Sequence, residues 1–119
     1  MKLSEKQQIF TRNVARLIEH ATCLGIGMTF GHAWRSIEEQ KRLKSEGKSQ
    51  TLESNHLNRL AVDFNFFING NLTYDFNELK VLGEYWISLH PHNRWGGDFN
   101  KNGVKDGFID VPHFEMQNL

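Results

Sequence analysis

Two histidines and an aspartate define the chemistry this sequence can carry: His56, Asp63 and His113. His56 lies in a loop, and Asp63 follows seven residues later inside the apolar run Leu60-Ala61-Val62-Asp63-Phe64. His113 belongs to a C-terminal strand. Two imidazoles and one carboxylate suit zinc and leave it a fourth position for water, as in catalytic rather than structural sites. Zinc in such a site lowers the pKa of water toward about 7 and polarises a carbonyl. A buried carboxylate is costly unless it is paired or binds a metal. The alternative for Asp63 is the solvent face, beside Asn65. Asp110 stands three residues before His113. A carboxylate there can take a proton from attacking water and protonate the leaving amine. Its other reading is a turn-forming aspartate before Pro112. Glu115 is the competing base, because strand alternation puts it on the face of His113.

These residues need elements to hold them. Ser4 to Leu24 has helical periodicity, with Phe10, Val14, Leu17, Ile18 and Ala21 on one face and a capping-box spacing at Ser4 and Gln7. Ile26 to Phe30 reads as a short strand. Ser36 and Glu39 cap a second helix that runs to about Lys44. Ser45 to Ser54 is polar, carries Gly47 and reads as an exposed loop. Leu60 to Ile68 is a strand with Ala61, Asp63, Asn65 and Phe67 on one face and Val62, Phe64, Phe66 and Ile68 on the other. Asn69-Gly70 predicts a hairpin to a partner strand over Asn71 to Tyr74. Asp75 and Glu78 cap a third helix, with Leu79, Leu82, Tyr85, Trp86 and Leu89 on its buried face, ending before Pro91. The remainder is loop-rich and closes with a strand around His113 to Met116. Three helices on a small antiparallel sheet make an α+β domain.

Composition bounds the rest. The 119 residues make one domain, residues 1–119, with 39% hydrophobic and 24% charged residues, which fits a globular chain. Lys plus Arg equals Asp plus Glu at 14 each, so the basic excess of a general nucleic-acid binder is missing. The single cysteine, Cys23, excludes an internal disulfide and a cysteine zinc knuckle, and reads as a small buried apolar residue. Apolar runs are too short to span a membrane, and Met1 to Lys6 lacks the apolar core of a signal peptide. Trp34, Trp86 and Trp95 read first as core. His32 reads as a surface-loop residue, His20 as partly exposed, and His90 and His92 as structural at a helix end. The basic run Lys41, Arg42, Lys44 and Lys48 is offset by Glu38, Glu39 and Glu46 and reads as a solvated face.

Four segments then carry a resemblance. Ser54-Asn55-His56-Leu57-Asn58-Arg59-Leu60-Ala61-Val62-Asp63 resembles the Ser-x-His-x-x-Gly-x-Ala-x-Asp signature of the zinc D-Ala-D-Ala and L-Ala-D-Glu peptidase family, whose fold is shared with hedgehog domains. Asp110-Val111-Pro112-His113 resembles its Asp/Glu-x-x-His motif, which supplies the base and the last ligand. Trp95-Gly96-Gly97 resembles its Trp-Gly-Gly segment. Trp34-Arg35-Ser36 with Glu39-Gln40 resembles the segment whose arginine is associated with a substrate carboxylate. The resemblance implies zinc on His56, Asp63 and His113, with Asp110 as base. It implies Arg35 on a substrate carboxylate and Ser54 on substrate or on its own loop; Trp95, beside two glycines, reads second as a cleft wall. Arg59 departs from the usual glycine and puts the local loop geometry in question. Asp110, where D-Ala-D-Ala dipeptidases carry Glu, resembles the phage endolysin branch, which cuts the L-Ala–D-Glu bond of peptidoglycan stems.

On that resemblance the expected protein is a zinc peptidase of one catalytic domain without a wall-binding domain. It acts as a monomer on bacterial peptidoglycan of a Gram-negative host, with no nucleic-acid or membrane partner. It stays in the host cytoplasm until a holin permeabilises the membrane. A D-Ala-D-Ala carboxypeptidase or dipeptidase is the enzyme alternative, and a non-catalytic module with a structural zinc is the other. Asp98, Asn100, Asn102 and Asp106 stand at positions 1, 3, 5 and 9 of a segment resembling the start of a calcium loop, with Gly103 at position 6. Some endolysins of the family are calcium-regulated near this place. A surface turn of Asn, Gly and Asp accounts for the segment equally well.

Overall fold

The structure, a computed structural model, describes residues 1–47 and 54–119. Most of the loop expected between Ser45 and Ser54, with Lys48, lies outside the described residues. The elements are α1 (Leu3–Cys23), β1 (Gly27–Phe30), α2 (Ile37–Ser45), a 3-10 turn (Asn55–Asn58), β2 (Ala61–Ile68), β3 (Asn71–Thr73), α3 (Phe76–Leu89), β4 (Asn93–Trp95) and β5 (His113–Met116). The expected α+β architecture of helices on an antiparallel sheet is present. The strand order is β1-β2-β5-β4, and β3 pairs with the end of β2 through the Asn69-Gly70 hairpin. Both turn residues take the left-handed φ that such a turn requires, 53° and 78°.

Two helix starts follow the sequence. Ser36 accepts from the Glu39 N–H at 3.1 Å, and Asp75 accepts from the Glu78 N–H at 2.9 Å. The start of α1 does not. Its N-cap is Lys2, with no side-chain cap bond, and Ser4 lies inside the helix. Gln7 instead donates its amide to the Asn58 carbonyl at 2.8 Å, which ties α1 to the 3-10 turn. The tertiary partner has taken the residue that a capping box would use. Strand β4 is a further departure, because Asn93-Arg94-Trp95 is too short for a period-2 signal and exists only through its pairing with β5.

One sheet face is the core side. Val62, Phe64 and Phe66 of β2, Phe114 and Met116 of β5, and Trp95 of β4 pack with Phe10, Leu17 and Ala21 of α1 and Phe76, Leu79, Leu82 and Trp86 of α3. Trp86 lies edge-on to Phe10 at 5.5 Å and to Phe114 at 5.9 Å. Its buried indole N–H donates to the Arg94 and Glu115 carbonyls, at 3.1 and 3.0 Å, so the donor costs nothing unpaired. Trp95 is also core, 1% exposed, with its indole on the Val111 carbonyl at 2.8 Å. This corrects its expected place on a cleft wall: its ring stacks on Phe76 and fills space that Gly83 and Gly97 leave open. Trp34 is corrected in the opposite sense and is exposed, as is Cys23 at the end of α1.

Arg59 closes the 3-10 turn in the left-handed region, φ 56° and ψ 35°. The chain therefore keeps the conformation that a glycine would favour, at a cost of about 1–2 kcal/mol for a residue with Cβ. The Arg59 guanidinium sits 5.2 Å over the Trp34 ring, an exposed stack that offsets about 0.5–1 kcal/mol of it. Arg59→Ala should keep the backbone cost and lose the stack, lowering stability by about 0.5–1 kcal/mol. Arg59→Gly should be neutral to stabilising by about 1 kcal/mol, because the backbone cost it removes exceeds the stack it loses. Denaturant unfolding of the two variants measures the difference.

Candidate metal centre

The register of β2 and β5 makes Asp63 and His113 direct cross-strand partners and sets Ala61 opposite Glu115. The register of β4 and β5 sets Arg94 opposite Glu115. Asp63, His113, Glu115 and Arg94 thus share the sheet face opposite the core. His56 reaches the same place from the 3-10 turn. Ser54 begins that turn, accepting from the His56 N–H at 3.2 Å, so its observed task is to orient the loop. The segment between β1 and α2 closes the other side, where the Arg35 N–H donates to the His56 carbonyl at 3.4 Å.

Ligand atoms of His56, Asp63 and His113 all lie within 4.8 Å of one another. Asp63 Oδ1 is 3.3 Å from His56 Nε2 and 3.1 Å from His113 Nδ1. Tetrahedral zinc with bonds of about 2.0–2.1 Å sets its ligand atoms roughly 3.3–3.4 Å apart. The outer ring nitrogens are already engaged. His56 Nδ1 is 2.9 Å from the Ala33 carbonyl, which can only accept, so Nδ1 carries the proton and Nε2 presents a lone pair. His113 Nε2 is 2.7 Å from Glu115 Oε1, which leaves Nδ1 for the centre. Metal-binding histidines are held in this way, the outer N–H on a carbonyl or carboxylate. The donor set therefore fits a divalent cation.

Charge is arranged to match. Burial opposes the Asp63 carboxylate, but contact with the His113 and His56 imidazoles holds its pKa well below the usual carboxylate range. Burial disfavours the His113 imidazolium, yet Asp63 and Glu115 raise its pKa to about 9. Arg35 is 8% exposed and faces Asp63 Oδ2 at 3.5 Å, with Nη1 on Gln40 at 2.8 Å and Nη2 3.1 Å from His32 Nδ1. The arginine expected on a substrate carboxylate is thus first a partner of the candidate ligand. Asp110 sits in the turn before β5, its N–H on the Gly96 carbonyl at 2.7 Å and its own carbonyl accepting from the His113 N–H at 3.0 Å. Burial pushes its carboxyl up, and its field interactions are with His113, Asp63, His56 and Arg35. No described residue hydrogen-bonds its carboxylate.

Residue-by-residue reading passed over three parts of this site. Asn55 and Arg94 both bind Glu115, and Phe99 packs its ring 5.8 Å from His113 and stacks on Phe108. Each depends on non-local pairing and left no local pattern. Farther out, Asp98 accepts from the N–H groups of Asn102 and Gly103, and Asp106 accepts from the amides of Asn100 and Asn102. These donors close the turn on itself.

A model of the family "Phage L-alanyl-D-glutamate peptidase" matches residues 2–117. The chain belongs to that family. It is a peptidase, and peptidoglycan is its substrate. The L-Ala D-Glu endopeptidase ChiX of Serratia marcescens has a similar structure, with a TM-score of 0.68 at 21% identity over 98% of this chain and 87% of that one. At that identity the likeness is one of fold. No curated protein matches the sequence.

Within this peptidase, Gly96 is one of the glycines with least room for a side chain. A Cβ there would collide with the Asp110 carbonyl and press on His113 Cβ. Gly96→Ala should destabilise the protein by about 1–3 kcal/mol through overpacking and lower hydrolysis, because the turn bearing Asp110 must move. Thermal unfolding and peptidoglycan digestion report the two effects.

Proposed function

We propose that the protein is a zinc-dependent endopeptidase that cuts the L-Ala–D-Glu bond of peptidoglycan stem peptides. The observation that carries the metal is the convergence of two imidazole nitrogens on Asp63 Oδ1 with their outer nitrogens engaged. His56, Asp63 and His113 would hold the ion. When bound, zinc supplies Lewis-acid polarisation of the scissile carbonyl and makes water acidic enough to attack near neutral pH.

The other steps belong to the chain. Asp110 takes a proton from the attacking water and delivers it to the D-Glu nitrogen as the C–N bond breaks. Its carboxyl suits both acts, because burial has moved its pKa up and no described donor competes for it. Glu115 is a poor rival, since both of its oxygens are already hydrogen-bonded. Arg35 balances the charge of Asp63 and Asp110 and offers a cation toward a substrate carboxylate. The bond follows from the family. As a phage lysin acting as a monomer, the protein would reach the wall after a separate holin opens the host membrane. No helix among the described residues is long and apolar enough to cross one.

Digestion of purified Gram-negative peptidoglycan, read by mass spectrometry, tests this. Expected products are new N-terminal D-Glu and glycan strands ending in L-Ala, lost on chelation and restored by zinc. Release of D-Ala alone would instead make it a carboxypeptidase. Asp110→Ala should lower turnover by about 10²–10⁴-fold while zinc binding is retained. Near-normal turnover in that variant would remove Asp110 from the mechanism.

A further inference from the structure

We propose that Glu115 is a positioning residue of the metal centre, which selects Nδ1 of His113 as the ligand atom and couples the two histidine-bearing segments. The inference rests on the zinc reading above. Glu115 lies on β5 between Phe114 and Met116, and all three are buried. A carboxylate in that place is costly without partners, and here every partner is part of the site or next to it. Oε1 is 2.7 Å from His113 Nε2. Oε2 accepts from Arg94 Nε at 2.9 Å, from Arg94 Nη2 at 2.6 Å and from Asn55 Nδ2 at 3.1 Å.

Three consequences follow from this geometry. When the ring is neutral, as a ligand must be, the carboxylate keeps the His113 proton on Nε2 and leaves the lone pair on Nδ1, the atom facing Asp63. An imidazole with a carboxylate on its outer N–H is also a more basic ligand than a free one. Arg94, the cross-strand partner of Glu115 on β4, fixes the carboxylate from one side. Asn55, next to His56 in the 3-10 turn, fixes it from the other. Glu115 therefore spans the segments that supply two of the three ligands, and its loss disturbs both.

The experiment compares zinc dissociation constants, by chelator competition, for the wild type, Glu115→Ala, Glu115→Gln, Arg94→Gln and Asp110→Ala. Histidine-ring ¹⁵N NMR of the zinc-loaded proteins accompanies it. The wild type should show His113 ligated through Nδ1 and protonated at Nε2. Glu115→Ala should bind zinc about 10–100-fold more weakly, with altered His113 ring shifts. Glu115→Gln, which keeps an acceptor without the charge, should recover part of that loss. Arg94→Gln should give a smaller loss in the same direction, and Asp110→Ala none. Zinc affinity within about twofold of wild type in Glu115→Ala, with unchanged ring shifts, overturns the inference. If Glu115→Ala does not fold, the same result in Glu115→Gln and Arg94→Gln overturns it. A wild type that binds no zinc overturns the metal reading itself, and is distinguished by being seen before any variant is made.

Discussion

Asp63 and His113 meet because β2 and β5 pair antiparallel in a register that makes them partners, and almost everything else at the site hangs on that register. Side chains alternate along a strand, so a slip of one residue would send Asp63 and His113 into the aromatic core and bring Val62 and Phe114 out. The core prevents the slip. Phe64, Phe66 and Phe114 form a ring cluster with centroids 5.8–6.2 Å apart, and Trp86 closes it edge-on. Hydrophobic burial on one face thus sets the polar geometry on the other. The Trp86 indole reinforces this, because its N–H binds backbone carbonyls of both β4 and β5.

Close backbone approach is the second constraint. Gly96 lets the turn bearing Asp110 lie against β4, and Gly83 and Gly97 make room for the Trp95 ring. The Trp-Gly-Gly segment is therefore one packing device: the tryptophan fills the core, one glycine borders its ring, and the other brings Asp110 beside His113. Its contribution to chemistry is indirect, through the path of the chain. This is also why the tryptophan is buried while the aspartate lies close to the candidate ligands.

Much of this was legible in the sequence. The helix caps at Ser36 and Asp75, the Asn69-Gly70 hairpin and the alternation of β2 are local signals that no tertiary contact overrules. The three candidate ligands were legible from residue type and the family-like spacing. Strand β4 was not, because three residues carry no period. The Ser4 capping box was a valid local pattern overruled by Gln7 reaching Asn58 across the chain. Arg59 at a position favouring glycine raised a question about the loop that only the backbone answers: the left-handed turn is kept. Glu115 was placed on the right face by alternation, but its role was hidden, since Arg94 and Asn55 approach it only in the folded chain.

Three carboxylates gather at this site, and their partners separate their tasks. Asp63 has Arg35 beside one oxygen and two imidazoles at the other. Glu115 has Arg94 and Asn55 on one oxygen and His113 on the other. Asp110 has neither an arginine in contact nor a described hydrogen bond to its carboxylate, and it is the one of the three in which burial prevails and the pKa is raised. A carboxylate held by imidazole or guanidinium donors has its lone pairs committed and its proton affinity lowered, so it serves as ligand or brace. One left unpaired in a partly buried place keeps proton affinity closer to neutral pH and can pass a proton in both directions. The hydrogen bonds of His113, His56 and Arg94 are what divide a metal ligand and a brace from a base. Sequence spacing alone could not make that division, because Asp110 and Glu115 flank His113 at comparable distances along the chain.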